Sequence, residues 1–185
     1  MENTTTLKNT ISVFAYYKAL GEKAMAQVND EALFHMPDEK SNSISVIVKH
    51  LHGNMLSRWT DFLTTDGEKE WRKRDEEFEE MKETRENVML QWEEGWKCLF
   101  DALHALTADD LEKIVYIRNM GQSAEDAIIR QLAHYAYHVG QIVYLARLFN
   151  DGDWVSLTIP KGQSASYNKE KTEPGKRVEH FTKKP

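Results

Sequence analysis

Two histidines in the fourth predicted helix have a spacing that points directly to metal chemistry. His134 and His138 lie four positions apart, so in a helix they project from one face about 6 Å apart, close enough to hold one ion. Both flank the apolar stripe, about 60–100° from Tyr135, on the side where a neighbouring helix packs. The pair is therefore a candidate for two ligands of a metal site between helices.

A third protein ligand is expected from the second predicted helix. His50 and His52 are two residues apart and point about 160° apart around the helix axis, so only one of them can reach the same ion. The angular positions of the two histidines relative to the apolar stripe do not show which of them is the ligand. Asn54 lies one turn beyond His50 and would offer a neutral polar group to orient a bound water or substrate.

Other catalytic patterns are absent from the sequence. Tyr135 stands where a His-Glu-x-x-His protease has its glutamate base, and no nucleophile elbow, Walker loop or dinucleotide-binding glycine run occurs. The absence of Glu-x-x-His pairs disfavours a di-iron bundle. The basic cluster at 72–74 is followed directly by acidic residues, so we expect it to be a solvated charged face.

Four apolar stripes predict the helices that would position these residues. Apolar side chains spaced by threes and fours predict helices over 5–35, 43–65, 78–106 and 123–149. The acidic run at 75–80 suits the positive end of the third helix. A long connection is expected between the second and third helices, and an irregular or hairpin connection over 107–122.

These elements predict an all-α protein built as a four-helix bundle. The chain has 185 residues, of which 41% are hydrophobic, enough to bury one core. We place the bundle domain at residues 1–160. Residues 161–185 are polar and lysine-rich without periodicity, and we expect a surface arm or a disordered tail.

Charge and cysteine content restrict the expected partners and compartment. The 24 Lys and Arg residues against 30 Asp and Glu residues give a net charge of −6, which disfavours binding to nucleic acid. No signal peptide or membrane span is indicated, and the single cysteine suits a reducing compartment. We expect a cytoplasmic protein with neither nucleic-acid nor membrane partners.

Three segments carry a resemblance to a known family. They are residues 49–55 (KHLHGNM), 58–69 (RWTDFLTTDGEK) and 134–142 (HYAYHVGQI). Over residues 5–160 the chain resembles the DinB/YfiT-like superfamily of metalloenzymes, in a bacterial subgroup. The family pattern combines a His-Leu dipeptide late in the second helix with His-x-x-x-His-x-Gly-Gln-Ile in the fourth.

The resemblance implies a ligand set and a class of reaction. It implies that His50, His134 and His138 hold a divalent ion, zinc or nickel, with Gln141 beside the ligands and with open coordination positions for water or substrate. It also implies a four-helix bundle that forms a homodimer and acts on a small molecule, as a hydrolase or as a transferase of low-molecular-weight thiols. Asn54 and Gln141 cannot take up a proton, so the sequence shows no general base.

Two other interpretations remain open at the level of sequence. The same bundle could be a non-catalytic metal- or small-ligand-binding module, such as a sensor or an assembly unit, or the three histidines could merely be packed. A fourth protein ligand that closes the site would favour a structural role, whereas a cleft beside the ion would favour catalysis.

Overall fold

The computed structural model describes residues 2–79 and 83–182, and this part of the chain is mostly helical. An antiparallel hairpin joins strand β1 (Ile114–Ile117) to strand β2 (Met120–Ser123), and short 3₁₀ turns lie at Asp75–Phe78 and Asp109–Glu112. The α-helices are α1 (Glu2–Met25), α2 (Asp30–Phe34), α3 (Ile44–Trp59), α4 (Arg85–Ala105), α5 (Ala124–Leu148) and α6 (Ser164–Thr172). The predicted helical class is confirmed, with a hairpin inside the connection over 107–122.

The four long helices share one apolar core. Helix α3 packs along α4, α1 packs along α5, and α3 also contacts α5. The largest buried side chains include Phe14 of α1, Trp92 and Trp96 of α4, and Tyr135 of α5. A Cβ atom at Gly21 would lie 2.7 Å from Cζ2 of Trp92, so glycine lets the indole ring lie directly against α1. The apolar stripes of the sequence therefore face a common interior.

Side-chain caps mark where the helices begin. The hydroxyl oxygens of Ser43, Thr84 and Ser123 accept hydrogen bonds from the backbone N–H groups of the third residue along, at 3.2, 3.3 and 3.0 Å. Each bond satisfies one backbone donor that has no partner within its helix. The predicted start of the last long helix at Ser123 is confirmed.

Two of the predicted helices end earlier than the apolar spacing indicated. The predicted helix over 5–35 ends at Met25, and Asn29 caps the separate helix α2 by accepting the N–H of Ala32 at 2.8 Å. The predicted helix over 43–65 ends at Trp59, and Asp61 then adopts a φ of 51°. Apolar residues continue with helical spacing beyond each break, so periodicity alone could not locate these ends.

The connection between α3 and α4 folds back onto α3. The prediction that the acidic run at 75–80 opens the third helix was wrong, because α4 begins at Arg85 and Asp75–Phe78 is a 3₁₀ turn packed on α3. This turn directs Glu77 into the interior. There its carboxylate accepts hydrogen bonds from His50 and Arg72, which offset the cost of burying the charge.

The hairpin and the α3–α4 connection are tied to each other. The Asp66 carboxylate accepts the backbone N–H groups of Arg118 and Asn119, both at 2.8 Å, and the N–H of Gly67 donates to the carbonyl oxygen of Tyr116 at 2.7 Å. Arg118 and Asn119 have φ angles of 55° and 60°, which a two-residue hairpin turn requires. The hairpin tip is thereby held beside the end of α3.

The polar end of the chain contains one helix that the sequence analysis did not predict. Helix α6 (Ser164–Thr172) has no buried residue, so it has no apolar stripe from which it could have been recognised. Beyond it, the ring of Phe181 lies 5.6 Å from that of Tyr16 on α1. Within the described ranges, no helix is both long enough and apolar enough to cross a membrane.

Candidate metal centre

Three histidines from two helices meet where α3 contacts α5. His134 Nε2 lies 3.4 Å from His50 Nε2 and 3.1 Å from His138 Nε2, and one nitrogen from each ring lies within 4.8 Å of the others. Nitrogen ligands of a tetrahedral zinc ion lie about 3.3 Å apart when each bond is about 2.0–2.1 Å long. The cluster could therefore hold a metal ion.

The structure brings His50 rather than His52 into this cluster. His52 points toward α4, where its Nε2 lies 3.3 Å from a carboxylate oxygen of Glu94. Helix α3 packs against α4 on one side and contacts α5 on another, so two residues about 160° apart on α3 face different neighbours. The role of His50, His134 and His138 as metal ligands stays a prediction.

A buried carboxylate orients the ring of His50. Glu77 is 6% exposed, and its Oε2 accepts a hydrogen bond from His50 Nδ1 at 2.8 Å. Arg72 donates to the same carboxylate through Nε at 2.7 Å and Nη2 at 2.9 Å. Burial would raise the pKa of Glu77, but the hydrogen bonds from His50 and Arg72 outweigh it and lower that pKa. An ionised carboxylate can only accept, so Nδ1 of His50 is a donor, and in the neutral ring the lone pair is then on Nε2.

Sequence reasoning did not identify Glu77 and Arg72 as part of the site. The expectation of a solvated basic face was wrong for Arg72, whose side chain is 2% exposed, whereas the side chains of Lys73 and Arg74 are largely exposed. Gly53 was a possible signal, since glycine inside a helix often marks a close approach of another group. A Cβ atom at position 53 would lie 2.8 Å from Cδ of Glu77.

Gln141 orients the ring of His138 from the next turn of α5. The Gln141 Oε1 atom accepts a hydrogen bond from His138 Nδ1 at 2.7 Å, and its Nε2 donates to the hydroxyl oxygen of Tyr137 at 3.1 Å. An amide oxygen is an acceptor only, so this ring also keeps its proton on Nδ1. The sequence placed Gln141 beside His138, and the contact shows how it could act on the site.

Asn54 takes part in a buried hydrogen-bond chain below the histidines. Its Oδ1 accepts the hydroxyl proton of Tyr135 at 3.0 Å, and the Tyr135 oxygen accepts from Trp59 Nε1 at 3.0 Å. Burial raises the pKa of Tyr135 and keeps its hydroxyl protonated. Asn54 also lines the cleft that contains the histidines, so it contacts both the core and the site.

The surroundings of His134 and His138 favour neutral rings. Burial, followed by the nearby His138 and His50 rings, lowers the pKa of His134 from 6.5 to about 3. Burial also lowers the pKa of His138 to about 4, against an opposing hydrogen bond to Gln141. Neutral imidazoles at neutral pH have the lone pair that a metal ligand needs.

The cluster opens into a cleft of about 500 Å³. His50, His134 and His138 line it together with Asn54 and Gln141. Across residues 2–79 and 83–182, no fourth His, Cys, Asp or Glu atom joins the three nitrogens. Structural zinc sites are normally closed by four protein ligands, whereas catalytic sites keep a position for water or substrate. The arrangement is therefore that of an open site.

Comparison with known proteins identifies one family. No curated protein matches the chain, and no solved structure matches it. The family model described as "Protein of unknown function (DUF1572)" matches residues 2–163, a range that contains the histidine cluster and all four long helices. The chain therefore belongs to the DUF1572 family.

Proposed function

We propose that the protein is a metal-dependent enzyme in which His50, His134 and His138 hold one divalent ion, zinc or nickel. The convergence of three Nε2 atoms, two of them on rings whose Nδ1 protons are bound by Glu77 and Gln141, is the observation that supports it most. Such an ion would supply Lewis acidity that lowers the pKa of a water or of a low-molecular-weight thiol.

The reaction that we propose is hydrolysis or thiol transfer on a small molecule. The cleft of about 500 Å³ supports catalysis over a sensor or assembly role, because it leaves room for a substrate beside the three nitrogens. Asn54 and Gln141 line the cleft and would orient a substrate, and neither can accept a proton. Glu77 lies on the Nδ1 side of His50 and is bound by Arg72, so we assign it to positioning rather than proton transfer.

We further propose that the DUF1572 family is a branch of the DinB/YfiT-like superfamily. Helices α1, α3, α4 and α5 would form its four-helix bundle within a domain at 1–160, and their common core supports that assignment. Tyr137, Tyr144 and Leu148 form an exposed apolar stripe along α5, which is where a second copy would pack in the expected homodimer.

Elemental analysis of protein purified without an affinity tag or added metal tests the ion. The wild type and the His52→Ala control, whose ring lies outside the cluster, should each contain about one transition-metal ion per chain. The His134→Ala variant should contain none. Metal retained by His134→Ala, or no metal in the wild type even after reconstitution with zinc and nickel, would refute the proposed site.

The metal-loaded protein then tests catalysis. Wild type and His134→Ala should be compared for hydrolysis of small esters and amides and for transfer of a thiol to an electrophile. Metal-dependent turnover that is lost in the variant would support an enzyme. Stoichiometric metal without any such turnover would support the non-catalytic module instead.

A further inference from the structure

Arginines dominate the cleft that contains the three histidines. Five line it, and they come from α3, the α3–α4 connection, the hairpin turn and α5: Arg58, Arg72, Arg74, Arg118 and Arg130. None of the described residues that line the cleft is an aspartate or a glutamate. The chain as a whole has a net charge of −6, so the charged residues that line the cleft are opposite in sign to the net charge of the chain.

Carboxylates behind the lining neutralise only part of this positive charge. Glu68 lies 3.3 Å from Arg58 Nη2 and 3.0 Å from Arg118 Nη2, and Glu77 is bound by Arg72. Among the described residues, three carboxylates pair with the five arginines, those of Glu68, Glu77 and Asp75, which leaves an excess of two positive charges (5 − 3 = 2). An anion in the cleft would therefore meet a net positive field.

Of the five arginines, Arg74 in the α3–α4 connection and Arg130 on α5 have the least carboxylate charge beside them. Arg74 lies over the ring of Phe78 at 5.0 Å, and its carboxylate neighbour among the described residues, Asp75, is 3.8 Å away and fully exposed to solvent. Arg130 is exposed and has no carboxylate partner in the part of the chain that the structure describes. Both guanidinium groups can therefore make the two parallel hydrogen bonds that carboxylates and phosphates accept.

Two buried polar atoms in the cleft lining also have no hydrogen-bond partner among residues 2–79 and 83–182. The first is Arg72 Nη1, which lies 3.9 Å from a carboxylate oxygen of Glu68. The second is Oε1 of Gln131, a residue that is 4% exposed. Buried donors and acceptors are normally paired with protein, water or a ligand, so these two atoms have hydrogen-bonding capacity that a ligand in the cleft can use. An anionic oxygen would pair with the first, and a hydroxyl or amine with the second.

We propose that this cleft binds a small molecule through a carboxylate or phosphate group, held by Arg74 and Arg130. This inference rests on the proposed function, because it assigns the substrate class of the same site. A volume of about 500 Å³ suits a single small ligand. The anionic group anchors the molecule at the arginines, and the rest of the molecule extends toward the histidines. Both a carboxylate-bearing thiol and a phosphorylated compound have this chemistry.

Titration of isotope-labelled protein with inorganic phosphate and with succinate tests the proposal. The apoprotein and the zinc-loaded protein are each titrated in 0.1 M sodium chloride, and amide chemical shifts report the affinity and the place of binding. Saturable shifts should centre on the cleft. Preference for phosphate would assign a phosphorylated ligand and preference for succinate a carboxylate, and either result supports the proposal.

Charge-matched variants separate specific binding from general attraction. Arg130→Gln and Arg74→Gln should each weaken binding about tenfold, because each loses a charge-assisted pair. Arg147→Gln removes the same charge from an exposed position of α5 outside the cleft and should leave the affinity unchanged. Equal weakening by Arg147→Gln, or no saturable shift with either anion, would overturn the proposal.

Zinc titration of the same proteins keeps this inference distinct from the proposed function. Arg130→Gln and Arg74→Gln should bind zinc with wild-type stoichiometry, since neither side chain is among the three candidate ligands. Zinc binding without anion binding would refute the anion site and leave the metal site standing. Anion binding without zinc binding would support the anion site and refute the metal site.

Discussion

The Glu77→Gln substitution tests whether the buried carboxylate organises the metal site. In the wild type, Glu77 accepts hydrogen bonds from His50 at 2.8 Å and from Arg72 at 2.7 and 2.9 Å. Glutamine has nearly the same shape, but one of its two terminal groups is a donor. Because both neighbours are donors too, at least one of these contacts becomes donor against donor.

The expected cost follows from two separate losses. Removal of a carboxylate that orients a histidine ligand weakens metal binding about 10–100-fold, or about 1.4–2.8 kcal/mol. The side chain of Arg72, 2% exposed, also loses its main counter-charge. Breaking a buried ion pair costs about 3–5 kcal/mol. We expect about 3 kcal/mol in the apoprotein, the lower end of that range, because Glu68 remains 3.9 Å from Arg72.

The assay compares Glu77→Gln with Glu76→Gln, which makes the same chemical change one residue away. Glu76 is exposed, and its carboxylate lies 3.0 Å from the exposed Lys73, so its loss should change stability by less than about 1 kcal/mol. Zinc affinity is measured by competition with a chromophoric chelator, and stability by urea unfolding of the metal-free protein. Wild-type zinc affinity in Glu77→Gln would refute the positioning role, as would an equal loss in Glu76→Gln.

Three further outcomes are expected. Gly53→Ala should displace the Glu77 carboxylate, because the Cδ atom of Glu77 would otherwise lie only 2.8 Å from the new Cβ atom. Zinc affinity should fall about tenfold in the same chelator assay. Tyr135→Phe should reduce the free energy of urea unfolding by about 2–4 kcal/mol, because it leaves a buried indole N–H and a buried amide oxygen unpaired; a loss below about 0.5 kcal/mol would contradict this account. Folding lowers the pKa values of His134 and His138 from 6.5 to about 3 and about 4, so the unfolded chain takes up protons first as the pH falls. The metal-free protein should keep its stability above about pH 6.5 and lose about 2 kcal/mol of it by pH 5, after allowance for solvent screening. Urea unfolding at each pH measures this loss, and a His134→Gln variant should show a shallower slope.

Local sequence patterns were enough to predict the long helices and the helix face that His134 and His138 share. The helical spacing of apolar side chains indicated four long helices, and the cap at Ser123 marked the start of the last one. His134 and His138 share a face because residues four apart in any α-helix do. Each of these features depends on residues within a few positions of one another, so no knowledge of the distant chain was needed.

Only the tertiary structure shows which residues meet when they are distant in the chain. His50 and Glu77 are 27 positions apart, and they meet because an aperiodic connection turns back onto α3. Periodicity left His50 and His52 equivalent, and the packing of α3 between α4 and α5 separates them. The arginine-lined cleft likewise collects side chains from four stretches of chain. Helical periodicity records which face of an element is buried, but it carries no information about which distant segment covers that face.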